Sequence, residues 1–169
     1  ADLLFGLGRA QVATLEFSQM TLAVGSLSRA FGYFQVAGDV DRAVAAAEEY
    51  PVWPVARVPE VTALIEKATE LVPPDSHEAG RLLTRYAVNL AAAQGQYEAA
   101  REPIQRALII ARREGDAALQ IRALVDGSRV DGFLGRAEDS LAMSLEALTL
   151  MRETDYPAYE VPARMWATT

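Results

Sequence analysis

The sequence predicts an all-α protein: a right-handed superhelical solenoid of stacked antiparallel helix pairs, four pairs plus part of a fifth. Three observations predict it. Apolar residues recur at helical spacing along most of the 169 residues. Alanines at 30, 68, 107 and 147 stand 38, 39 and 40 residues apart within similar phrases. Alternating β-branched runs and Asn-Gly hairpin turns do not occur.

The phrases are "RAFGYFQVAGD" (29–39), "KATELVPPDS" (67–76), "RALIIARREGD" (106–116) and "EALTLMRETD" (146–155). Three residues before each alanine come Leu27, Ile65, Ile104 and Ser144, and three after come Tyr33, Leu71, Ile110 and Leu150. These positions are expected to share one helix face. Seven before come Ala23, Val61, Ala100 and Ser140, mostly small, which lets a neighbouring helix approach closely. Pro103 falls in the first turns of its helix, where a missing N–H costs less than in the middle.

A first helix is expected ahead of each of these second helices, over 2–14, 39–50, 76–93 and 116–134, with Ser76 and Asp116 as N-caps. "YEVPARMWATT" reads as the start of a fifth. Turns at "QGQ" (94–96) and "LGR" (134–136) join the later pairs. The organisation expected is a single repeat domain over 1–169, with repeats at about 1–38, 39–75, 76–115 and 116–155 and a partial one at 156–169. Both ends fit a piece of a longer protein. A helix pair of this kind buries its apolar stripe only against its neighbours, so the array folds as a stack.

This pattern resembles a tetratricopeptide-repeat array. Ala100, Ile104 and Ala107 match the family's small, large and alanine positions, Pro73 stands five after Ala68, and "GQYEAA" matches Gly-x-Tyr-x-x-Ala. The period of 38 to 40 is longer than the family's usual repeat, and its aromatic at the fourth position is missing. More narrowly, "LVPPDSHEAGRLLTRY", "GQYEAA…RALIIARREGD" and "RAFGYFQVAGDVDRAV" resemble the region C-terminal to the ATPase in LuxR-type or cyclase-linked bacterial regulators. That resemblance implies a non-catalytic sensor module that binds a protein, a peptide or a small inducer. The alternative is a scaffold that mediates self-association.

Composition narrows the function. A net charge of −7 argues against a nucleic-acid surface, which needs clustered positive charge. No apolar run is long enough to span a membrane. Without cysteine there is no disulfide or thiolate site, and a reducing cytoplasm is the expected location. No phosphate-binding loop of the Gly-x-x-x-x-Gly-Lys type occurs, and no cofactor is expected. His77 is alone beside Asp75 and Glu78, so it reads as a solvated residue near a helix start rather than a metal ligand or catalytic base. The carboxylates of "EAAREP" and "RAED" read as helix-start charges. No catalytic residue is assigned.

In a tetratricopeptide array the second, fifth and ninth positions of the first helices line a concave groove. Carried onto this chain, the resemblance places Leu82, Arg85 and Asn89 there, followed by Arg122, Val125 and Arg129. Arginine and asparagine at five and nine resemble a clamp for an acidic C-terminal peptide, but Asp126 departs from that pattern. The expectation is a polar groove for a partner or ligand, carried by Arg85, Asn89, Arg122 and Arg129. Trp53, in the proline-rich "PVWPVARVP" (51–59), is either a plug in the stack or a secondary contact. Trp166 is expected to pack on a further repeat.

Overall fold

The computed structural model describes residues 1–49, 59–154, 156 and 159–167. Among these residues regular structure is helical throughout. It comprises α1 (Asp2–Thr14), a 3-10 turn (Phe17–Gln19), α2 (Met20–Val36), α3 (Val40–Glu48), α4 (Pro59–Glu70), α5 (His77–Gln94), α6 (Tyr97–Glu114), α7 (Ala117–Phe133), α8 (Ala137–Thr154) and α9 (Glu160–Trp166). Trp53 lies outside the described residues, as does the side chain of Trp166. The helices group into two compact units, 1–74 and 75–169. The division falls within one residue of the expected boundary between the second and third repeats.

The joints α2–α3, α5–α6, α6–α7 and α7–α8 are only two or three residues long, and the dipeptide Gly-Asp shows how. Gly115 takes a φ of +67°, a left-handed conformation that stops α6. Asp116 then donates its N–H back to the Ala111 carbonyl at 3.0 Å, closing the helix end. Its side chain accepts from the Leu119 N–H at 2.9 Å and so caps α7. Gly38 and Asp39 repeat the device: Asp39 N–H bonds the Phe34 carbonyl at 2.9 Å, and the carboxylate accepts from the Arg42 N–H at 3.2 Å to start α3.

In the 1–74 unit, α1 packs on α2, α2 on α3 and α3 on α4. Phe5 meets Phe34 edge to face with centroids 6.0 Å apart. Gly8 faces Leu27 so closely that a Cβ would lie 2.7 Å from its side chain. Arg42 ties α3 to α1 by an ion pair with Asp2 at 2.6 Å, and its guanidinium lies over the Phe34 ring.

In the 75–169 unit, α5 packs on α6, α6 on α7, α7 on α8 and α8 on α9, while α5 also meets α7 and α7 meets α9. The helices approach closely at glycines. A Cβ on Gly80 would lie 2.9 Å from Ile110, and one on Gly127 would lie 2.7 Å from Met143 and 2.9 Å from Ile104. One core therefore runs through α5 to α9, from Leu83 and Ala87 to Ala147, Met151 and Ala163.

The repeat phase read from the sequence lands on buried positions. Ala30, Ala68, Ala107 and Ala147 have no accessible surface, and every residue three and seven before them is buried. The position three after is mixed: Ile110 is buried as expected, whereas Tyr33 is 55% exposed and Leu71 and Leu150 are half-buried. The position four after is buried in every repeat, at Phe34, Val72, Ala111 and Met151, with Val72 two residues past the end of α4. The reason is angular. A step of three residues falls about 60° short of a full turn and a step of four overshoots by about 40°. A stripe stays on one face only when the two alternate, as −7, −3, 0 and +4 do. With Ala107 in so tight a place, Ala107→Phe should overpack the core and cost about 1–3 kcal/mol of stability. Urea unfolding of the variant measures this. An unchanged midpoint would mean that the α6 stripe has room the packing denies.

Candidate functional site

The expected groove residues lie on α5 and α7, which pack together, but they are not equally available. Asn89 is 2% exposed; its amide donates to the Arg85 carbonyl at 2.9 Å, and its Oδ1 is buried without a hydrogen bond. Leu82 and Val125 are buried in the core. Arg85, Arg122 and Arg129 are half-buried. Arg122 reaches across to the Arg81 carbonyl of α5 at 3.4 Å. Arg129 is bound to Asp126, one turn earlier, at 3.0 Å, so its charge is balanced locally. The polar surface on this face is therefore supplied by the three arginines, with Asn89 beneath it.

A buried ion pair lies between α6 and α7. Arg101 Nε stands 2.9 Å from the carboxylate of Asp131, which is 1% exposed. Burial pushes the Asp131 carboxyl above its ordinary range, and the nearby Asp139 adds to the rise; Arg101 and Arg136 oppose it. The acidic side chains at the starts of α6 and α8 also link elements. Glu98 pairs with Arg136 at 2.7 Å, and Asp139 lies 3.8 Å from Arg101.

His77 is less solvated than the sequence suggests. It is half-buried, with Nε2 2.6 Å from Asp116 Oδ2, so the N-cap of α7 is tied to the start of α5. Its neighbours Asp75 and Glu78 do not form a metal set with it: among the described residues no group of three potential ligands converges.

A cleft of about 440 Å³ opens between α8 and α9. Leu145, Leu148, Met151 and Tyr156 supply its apolar surface, and Arg152, Glu160 and Arg164 its charges. Arg164 is bonded to Glu160 at 2.6 Å, one turn earlier on α9. Arg152 donates from Nε to the Leu148 carbonyl at 3.3 Å and has no carboxylate partner among the described residues. The sequence reading did not single out this site. The available signal was the repeat itself, since Leu108 and Arg112 recur forty residues later as Leu148 and Arg152. The cleft has the size of a small-molecule pocket or of a slot for side chains of a docked segment. Comparison of the chain with protein-family models and with curated proteins gave no match.

The Asp116 contacts carry a pH signature. Burial raises the affinity of its carboxyl for a proton, but the Leu119 N–H and His77 outweigh it, and the pKa falls below the ordinary 3.8. A carboxyl whose folded pKa is depressed stabilises the fold fully above its unfolded pKa, and that stabilisation disappears as pH falls through the folded value. Asp116→Asn keeps a cap acceptor and loses the charge. The parent should melt higher than this variant at neutral pH, with the gap closing below about pH 4. Melting curves from pH 7 to pH 3 test it; a gap of constant size would remove the carboxylate charge from the account.

Proposed function

We propose that this chain is a non-catalytic binding module of the tetratricopeptide-like type, serving as the sensor part of a bacterial signalling regulator. The observation that carries the reading is the recurrence of one buried row, at −7, −3 and 0 in α2, α4, α6 and α8 and at +4 in α2, α6 and α8. Such recurrence supports a repeat architecture, whose extended surfaces suit binding. The half-buried Arg85, Arg122 and Arg129 offer an acceptor-rich or anionic ligand several donors on two neighbouring helices, α5 and α7, of an otherwise acidic protein. The regulatory setting rests on the resemblance of the quoted phrases to LuxR-type and cyclase-linked proteins.

A scaffold that self-associates is the second reading, favoured by exposed apolar side chains such as Leu3, Leu7, Val161 and Met165. Thermal melting separates the two. A sensor gains several degrees from one of a panel of acidic peptides and small carboxylates at fixed protein concentration, and a scaffold melts lower on dilution without any ligand. For a ligand found in this way, Arg85→Ala and Arg129→Ala should weaken binding with helix content unchanged. Arg112→Ala, whose side chain is exposed and paired with Glu146, should not. Equal binding by all three variants would remove the α5–α7 face from the reading.

A further inference from the structure

We propose that Asp131 is an internal proton-binding site, and that a proton taken up there passes Arg101 from Asp131 to Asp139, so that a tie between α6 and α7 becomes one between α6 and α8. The site lies where α7 turns into α8. The Asp131 carbonyl receives the Arg136 N–H at 2.9 Å, closing the turn around Gly135. Asp131 itself is 1% exposed. Five charged side chains meet there. Glu98 and Arg101 come from α6, Asp131 from α7, and Arg136 and Asp139 from the joint and first turn of α8. Glu98 pairs with Arg136 at 2.7 Å, while Arg101 stands 2.9 Å from Asp131 and 3.8 Å from Asp139. Three carboxylates against two guanidinium groups leave one negative charge in excess. One proton balances the cluster. Glu98 and Asp139 are exposed, so the carboxylate with most to gain from that proton is the buried one.

Arg101 holds Asp131 by proximity rather than by a well-directed bond. Its Nε is close to Oδ1, yet Oδ1 is buried and accepts no hydrogen bond. A buried charge met in this way keeps part of its desolvation cost. A cavity of about 10 Å³, lined by Arg101, Gln105, Asp131 and Met143 among others, adjoins the carboxylate. It has room for about one water. Gln105 is exposed, so the cavity gives the carboxyl a short way to solvent. Once Asp131 is neutral, Asp139 is the other acid within reach of Arg101.

The remaining elements packed on α7 bring their charges elsewhere. His77 at the start of α5 meets Asp116 at the head of α7, so these helices run in the same direction. The charged residues of α5 are His77, Glu78, Arg81 and Arg85, all in its first half, whereas Asp131 lies near the end of α7. On α9, Glu160 is bound by Arg164, and on α7 itself Asp126 is bound by Arg129. The groups that act on Asp131 are Arg101 and Arg136, which favour its charge, and Asp139, which opposes it; burial outweighs the arginines and lifts the carboxyl above its ordinary 3.8.

Carboxyl carbon-13 NMR of the whole chain, labelled at aspartate and titrated from pH 7 to pH 3, tests the proposal. Asp131→Asn identifies the resonance. Its midpoint is expected above 3.8. The Arg101 Nε–H resonance should move with the same midpoint, and should stay fixed over that range in Asp131→Asn. Arg101→Gln should raise the Asp131 midpoint by removing a cation, and Asp139→Asn should lower it by removing an anion. Asp116→Asn, at the other end of α7, should leave it in place. Linkage adds an independent sign. A carboxyl with a raised folded pKa binds its proton more tightly in the folded chain, so its contribution to stability is lost as pH rises through the folded value. The parent should therefore gain on Asp131→Asn in melting temperature as pH falls, the reverse of its behaviour against Asp116→Asn. An Asp131 midpoint at or below 3.8 overturns the proposal. So does an Arg101 resonance that fails to follow it, which would leave a buried acid without an exchange of partners. Both are read on the parent chain, so a variant that unfolds does not spare the proposal.

Discussion

Close approach of helices at small side chains is the constraint on which the rest of this protein depends. Helix axes 8–10 Å apart leave no space for large residues at the points of nearest contact. The chain meets this with alanine at 30, 68, 107 and 147 and with glycine at 8, 80 and 127, where a single added carbon would fall inside its neighbour. Larger residues then fill the ground to either side, as Leu27, Ile65 and Ile104 do three residues before their alanines. Short joints complete the arrangement, because a two-residue Gly-Asp link ends one helix and caps the next without letting their faces rotate apart.

Charge works on this frame as a set of ties between elements. Arg112 to Glu146, Arg136 to Glu98 and His77 to Asp116 each join residues more than thirty positions apart. Exposed pairs of this sort add little stability individually. What they supply is register. Arg112 near the end of α6 meets Glu146 of α8, two helices on, only when the stripes are in phase. Asp131 is the costlier case, a carboxylate taken out of water and held by Arg101.

Much of the fold was legible from local pattern. The expected first helix at 2–14 is α1, and Ser76 and Asp116 do cap α5 and α7. At +3 only Ile110 is buried, because three-residue spacing shows that positions are near one another but not which side of the stripe they drift toward. The candidate site was less legible. Positions transferred by resemblance gave Asn89 the same status as Arg85, although one is buried and the other half-buried. The α8–α9 cleft escaped because its residues are ordinary apolar and charged types, distinguished only by the way two helices bring them together.

The sequence by itself determined the helical class, the period, the phase of the buried row and the chemistry of the joints. Each is set by residues within a few turns of one another: spacing of apolar side chains, glycine's access to positive φ, and a side-chain oxygen three residues from an unpaired N–H. Tertiary structure decided which charges are free to act. Arg112 and Arg152 are the same residue at the same phase of equivalent helices. One is answered by Glu146 and the other faces an open cleft. The difference lies in which side chains more than thirty residues away are brought to each arginine, a long-range event that local sequence around either arginine does not encode.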